Sequence, residues 1–386
     1  MKKVLKISGC LFLLSMCPAF LFAQSRLKSS ASGKPIPETI AKHFIVPEEF
    51  KDQQGSYRPV LKFYNGDTVK TPKDWKRRRE EILLKWNAMM GQWPALIQKQ
   101  SFEMLDTVQL DGFVRYRVKF NWLPGQKTEG YLMIPDSPGK KAAVITVYYE
   151  PETSAGLGRP DLPDRDFAFQ LAKRGFVTLS IGTTETTANK TYSLYYPGIQ
   201  NASVQPLSAL ACAAANAWNV LAGLSEVDSK RIGIMGHSYG GKWAMFASAL
   251  YDKFACAVWS DPGIVFDEAR ESVNYWEPWY LGYYPQSWRK RGLITSQNPA
   301  GGLYPRLVAD GYDLHELHAL LAPRPFLVSG GSEDPVKRWI PLNQTIQVNR
   351  LLGYENRVAM TNRPAHTPNP ESNEAAFLFL EHFLKN

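Results

Sequence analysis

Apolar positions along this chain follow a helical period first and a strand period afterwards. Between residues 72 and 90, Trp75, Ile82, Leu83, Trp86, Met89 and Met90 recur on one helical face. Thr71-Pro72-Lys73-Asp74 supplies a helix start, and Gly91 and Pro94 supply a stop. From about residue 101 the period shortens to two. Val114, Tyr116, Val118 and Phe120 alternate with polar or charged side chains, as in a half-exposed antiparallel strand, and Gly130 to Ile134 makes a second. Short apolar runs then appear at 142–147, 177–181, 232–235, 255–259 and 326–328. Helix-like stretches lie near 164–174, 206–223, 240–250, 313–321, 340–352 and 371–384. Strands without polar alternation, interleaved with helices, predict a mostly parallel central sheet with helices on both faces. Such a sheet carries its chemistry on loops at the carboxyl ends of its strands.

Two regions follow neither period. Residues 24 to about 60 are rich in Ser, Pro and Lys and read as a linker and an extended arm, so 24–100 is expected to be an arm and helix packed on a core domain of 101–386. The stretch 262–312 reads as a lid-like insertion. Seven of its fourteen residues from 275 to 288 are aromatic, among them Trp276 and Trp279, which are candidates for stacking on a sugar ring.

The most informative segment is Arg231 to Lys242. It runs through a strand, turns at Gly236-His237-Ser238-Tyr239-Gly240, and enters a helix at Trp243-Ala244. G-x-S-x-G between a strand and a helix is a nucleophile elbow, because the glycines let the chain bend sharply while holding the serine oxygen clear of the sheet. Ser238 is therefore the candidate nucleophile, placed where the helix dipole favours developing negative charge. The backbone N–H of Tyr239 is one candidate oxyanion donor. The second is expected after the strand ending at Val147, with Tyr149 chosen from Tyr148, Tyr149 and Glu150.

The base and acid should follow the serine in the chain. Of the six histidines, His366 lies in a loop just before the last amphipathic helix, where a base can arrive over the sheet. His237 sits before the serine, at a position facing the interior. His315 and His318 lack the spacing of a zinc site. Asp334, after the strand at 326–328 and a Gly-rich turn, is the expected acid; Asp261, after the strand at 255–259, is the alternative. Each is followed by proline, so each also suits a simple turn.

These residues resemble the α/β-hydrolase superfamily, in particular the bacterial glucuronoyl esterases and their acetyl xylan esterase relatives. The resemblance is carried by Asn65 to Val69, by Asp74 to Ile82, by the elbow, by His315 to Pro325 and by His366 with its helix. It implies the α/β-hydrolase fold, a secreted serine esterase that attacks acetyl, methyl-uronate or glucuronoyl esters of polysaccharides, and no cofactor or metal. It also implies that Lys242, four residues after the nucleophile, contacts the sugar. The chain departs from the glucuronoyl esterases at the elbow, where they typically carry Cys-Ser-Arg and this sequence reads His237-Ser238-Tyr239. A peptidase of the prolyl-oligopeptidase kind shares the Ser–acid–His order, and an inactive glycan-binding relative is a third reading; the intact Ser, acid and His weigh against the latter.

Composition alters this picture in two places. Lys2, Lys3 and Lys6, the apolar run from Leu11 to Phe22 and Ala23 read as a signal peptide over 1–23, too short and broken for a transmembrane span. A lipoprotein signal at Cys17 is the less favoured alternative, because Met16 stands where a small residue is wanted. Export implies a periplasmic or extracellular site of action. Cleavage after Ala23 takes away three lysines and no acid, so the formal charge falls from +9 to +6. That mild excess is dispersed, which excludes a nucleic-acid patch but suits an acidic polysaccharide. Cys212 and Cys256 then remain and are expected as buried free thiols. Nothing in the sequence sets an oligomeric state.

Overall fold

Strand formation here follows the β-rich apolar runs, and the computed structural model assembles them into one sheet. It describes residues 35–158 and 161–385; the signal-peptide reading of 1–23, with Cys17, lies outside the described residues. The strands are β1 (Glu103–Leu110), β2 (Phe113–Leu123), β3 (Gln126–Pro135), β4 (Lys141–Tyr148), β5 (Val177–Gly182), β6 (Val227–His237), β7 (Ala257–Ser260), β8 (Phe326–Gly330) and β9 (Val358–Asn362). Their order in the sheet is β1-β2-β3-β5-β4-β6-β7-β8-β9. Pairing is antiparallel from β1 to the β3–β5 pair and parallel from β5 through β9.

All eight residues of β4 are buried, because helices cover both faces of the sheet. Ala143, Ile145 and Val147 join the larger core, with Leu210, Trp243 and Phe246 from helices Pro206–Ala222 and Tyr239–Leu250. Ala142 and Val144 join the opposite core, with Phe167, Leu171, Phe377 and Leu380 from helices Phe167–Lys173 and Pro370–Leu384. The two-residue period thus sorts one strand into two cores. β1 lacks the apolar signature because it is an edge strand with mostly exposed residues. Cys212 and Cys256 are buried free thiols. Among the described residues no helix is long and apolar enough to cross a membrane.

The helix Pro72–Met90 starts at a capping box, in which Thr71 accepts from the Asp74 N–H and Asp74 accepts from the Thr71 N–H. Its apolar face buries Trp75, Ile82, Trp86 and Met90, but Arg78 is buried too. Arg78 Nη2 donates to Glu316 Oε1 at 3.1 Å, while Trp86 Nε1 and Tyr64 Oη donate to Glu316 Oε2 at 2.9 and 3.0 Å. The two motif segments around Asp74 and His315 therefore meet as a structural joint. Every carboxylate oxygen is hydrogen-bonded, which is the condition for such a buried pair to persist.

The insertion 262–312 packs its aromatics inward around Tyr275, Trp276, Trp279, Tyr280 and Tyr304, and adds the short helix Tyr304–Ala309. Arg289 Nη1 donates to Glu277 Oε1 at 2.7 Å with both side chains buried, tying the loop together.

Candidate active site

The strand-to-helix bend forces Ser238 into φ 56°, ψ −113°, a conformation that costs an L-residue about 1–3 kcal/mol. The neighbouring glycines make that bend possible. A Cβ on Gly240 would lie 1.9 Å from the Val147 carbonyl oxygen, and one on Gly236 would lie 2.2 Å from the Gly240 oxygen. Any side chain at either position would push the elbow off the end of β4. Tyr239 is the first residue of the following helix, so its N–H has no acceptor within that helix.

Three side chains from three loops converge above the sheet. Ser238 Oγ lies 2.8 Å from His366 Nε2, and His366 Nδ1 lies 2.7 Å from Asp261 Oδ2. Ser238 and His366 keep partial exposure, whereas Asp261 is fully buried. The Asp261 carboxylate also accepts from the N–H groups of Gly331 (2.7 Å), Asp334 (2.8 Å) and Glu333 (3.2 Å). Asp261 adopts φ 49°, so two of the three converging residues have positive φ.

Asp334, the expected acid, does not reach the imidazole; the aspartate that does is the alternative, Asp261. The physical reason is a reciprocal exchange between two loops. Asp334 turns back and accepts from the N–H groups of Gly263 (2.8 Å) and Ile264 (2.7 Å), just after Asp261, while its own N–H caps Asp261. Burial, and then the Asp261 charge, push the Asp334 carboxyl above its ordinary range.

Two residues around His366 carry contacts to which the sequence assigned no role. Arg363 is buried and donates to the His366 carbonyl (2.6 Å), the Thr367 carbonyl (2.9 Å) and the Ser329 carbonyl (2.8 Å), fastening the His366 loop to β8. His237 lies beneath His366 with ring centroids 4.6 Å apart, and its Nδ1 meets the Ser260 carbonyl and hydroxyl. Burial drives the His237 pKa well below its usual value, and the His366 and Arg165 charges add to the effect. Among the signals available, the Arg363-Pro364-Ala365-His366 segment placed Arg363 near the base but gave it no role.

The substrate-contact expectations fare differently. Trp276 is buried with Nε1 donating to the Gly292 carbonyl at 2.9 Å, and Trp279 is 3% exposed among the rings of Tyr192, Tyr280 and Trp288. Both are corrected from sugar platforms to the aromatic core of the insertion. Lys242 is likewise buried beneath that insertion, its Nζ donating to the Pro262 carbonyl and lying 4.8 Å from the Tyr275 ring centroid. Burial lowers its pKa to about 8 against the opposing pull of Asp334, Glu333 and Asp261. Tyr149 stacks face to face on Tyr239 with centroids 4.3 Å apart, which occupies its ring. Among the described residues no group of three His, Cys, Asp or Glu side chains could hold a metal ion.

A sequence model of the prolyl oligopeptidase family matches residues 214–355, which span the elbow and Asp261 but stop short of His366. No curated protein matches the chain in sequence. Among solved structures, a glucuronoyl esterase from Solibacter usitatus superposes with a TM-score of 0.68 at 18% identity, covering 87% of this chain and 99% of its own. A carbohydrate esterase family 15 glucuronoyl esterase from Caldicellulosiruptor kristjansonii gives 0.60 at 19% identity, covering 88% and 93%. A candidate acetyl xylan esterase from Bacteroides fragilis gives 0.54 at 16% identity, covering 86% and 89%. The chain thus has the α/β-hydrolase fold, shared over most of its length with solved carbohydrate esterases.

Proposed function

We propose that this protein is an exported serine esterase that removes acetyl, methyl-uronate or glucuronoyl ester groups from polysaccharides. The observation that carries the reading is the continuous Ser238–His366–Asp261 hydrogen-bonded line at 2.8 and 2.7 Å. His366 Nε2 takes the Ser238 proton as Oγ attacks the ester carbonyl, and Asp261 holds the Nδ1–H and the imidazolium that forms. The oxyanion is met by the Tyr239 N–H and by a second donor from Tyr149. Collapse expels the alcohol with the His366 proton and leaves an acyl group on Ser238. Water, deprotonated by His366, then releases the acid.

The carbohydrate preference is supported by the resemblance to solved carbohydrate esterases and by the surface next to the nucleophile. A cleft of about 300 Å³ lies beside the carboxyl end of β5, lined by Trp122, Glu152, Thr183 and Thr186 and by Arg117 and Lys119, both of which are paired with Glu129. β5 is two strands from β6 and β2 is four, so the cleft runs from about 10 to about 20 Å from Ser238. Hydroxyls and an indole are groups that a hydroxylated polymer would engage. Export rests on the basic and apolar start of the chain.

The match to the prolyl oligopeptidase family favours one rival reading, a serine peptidase. A single panel separates them: acetylated xylan, methylated pectin and alkyl glucuronates against prolyl peptide amides. Release of acetate or alcohol with peptide amides left intact is the expected outcome. Amide cleavage at rates matching or exceeding the esters would assign the site to peptides instead.

A further inference from the structure

At the end of the sheet away from Ser238, the fold buries a charge that it does not balance. Arg357 immediately precedes β9, whereas His366 follows that strand's carboxyl end, so the two are about one five-residue strand, roughly 17 Å, apart. Arg357 is 2% exposed and lines a cleft of about 400 Å³ with Phe44, Ile45, Ile346, Asn349 and Tyr354. Its Nε and Nη1 have no hydrogen-bond partner, and among the described residues it forms no ion pair. Its company is aromatic: the Tyr354 and Phe383 centroids lie 4.9 and 5.9 Å from Cζ. Ring faces attract a guanidinium, but they do not replace the acceptors that its buried N–H groups have lost.

The surroundings narrow what would complete it. The other cations at the rim are already engaged, Arg350 with Asp52 at 2.9 Å and Lys51 with Glu48 at 3.2 Å. Ile45 and Tyr354 stand 68% and 39% exposed at the lips, offering an apolar face and a ring to anything that enters. Asn349 is buried with Nδ2 donating to the Thr345 carbonyl, while its Oδ1 has no donor. An acceptor of that kind calls for a hydroxyl, which a simple inorganic anion lacks.

We propose that the Arg357 cleft is a second ligand site that binds a sugar acid, carboxylate on the guanidinium, a hydroxyl on Asn349 and a C–H face on Tyr354. A carboxylate meets the fork of an arginine with two charge-assisted bonds, and a sugar ring is large enough to reach the ring and the amide together. The choice of a sugar among carboxylic acids rests on the esterase reading above; the need for an anion at Arg357 does not. Such a site would hold an acidic polysaccharide, or the acid released from it, at a distance from Ser238.

The test is calorimetric titration of the full chain carrying Ser238→Ala with sodium D-glucuronate, D-glucose, acetate and inorganic phosphate. Glucuronate is expected to bind at least tenfold more tightly than acetate or phosphate, with glucose giving no saturable signal. Adding Arg357→Met should weaken glucuronate at least tenfold, and adding Tyr354→Ala about fivefold. The melting temperature of Arg357→Met should be unchanged or raised, because the substitution removes an unpaired buried charge. If that variant does not fold, the exposed Tyr354→Ala decides. Undiminished glucuronate binding in the variants, equal affinity for phosphate, or no saturable binding would overturn the proposal. Turnover of a small aryl ester by Arg357→Met in the Ser238 background is expected at the parent level, so a failure of the esterase reading appears separately, as absent turnover in the parent.

Discussion

Replacing Ser238 by alanine is expected to lower ester turnover by about 10⁶-fold, with the fold preserved. Alanine removes one oxygen and keeps a Cβ, so the bend at φ 56° is no more strained than before. What disappears is the atom that His366 Nε2 contacts at 2.8 Å. Residual turnover would come from binding and the oxyanion donors alone. His366→Ala should produce a comparable loss, and the double variant should lose little more than either single one, because the two groups act as a unit. Initial rates on an aryl acetate, with circular dichroism as the fold control, check this. Additive losses would mean that the two side chains act in separate steps.

The second large effect distinguishes the two buried aspartates. Asp261→Asn should lower kcat by about 10⁴-fold, because an amide in that place favours the wrong imidazole tautomer and cannot stabilise the imidazolium. It would also leave the N–H groups of Gly331, Glu333 and Asp334 with one acceptor oxygen in place of two. Asp334→Asn should keep kcat within about tenfold of the parent. Its cost should fall on stability, about 1–3 kcal/mol for a buried N–H left unmet at Gly263 or Ile264. Rates and denaturant midpoints on the same two variants separate the roles. A large kcat loss confined to Asp334→Asn would assign the acid to the other loop.

The difference between the two aspartates also marks where the sequence stops being informative. The elbow is legible because it is local: a strand, four glycines and a serine within a dozen residues impose one backbone path. The His366 loop is legible because the apolar helix Pro370–Leu384 follows it. Asp261 and Asp334 are alike at that range, each after an apolar strand and each before a proline. They differ in which way the loop faces its neighbour, a property of how β7 and β8 lie side by side. Asp261 points outward at φ 49° to the imidazole, and Asp334 points back to cap the chain after Asp261.

The aromatics of the insertion illustrate a second limit. Composition identifies seven rings in fourteen residues but does not say which face water. A loop of that length without strand pairing must bury apolar area on itself to stay ordered, and Trp276 and Trp279 serve that need. Lys242 follows from the same packing, since the insertion closes over it through Pro262 and Tyr275. Arg78 and Glu316, in two of the segments that carry the resemblance, form a joint between the N-terminal helix and the core.

The central claim is that Ser238 is the nucleophile activated by His366. Its most direct test is to treat the protein with a fluorophosphonate, digest it with trypsin and locate the adduct by mass spectrometry. Cleavage after Arg231 and Lys242 yields the peptide Ile232–Lys242, in which Ser238 is the single serine. One phosphonyl group per chain on Ser238, formed far more slowly in His366→Ala, is the predicted result. An unlabelled protein, or an adduct on any other residue, would contradict it.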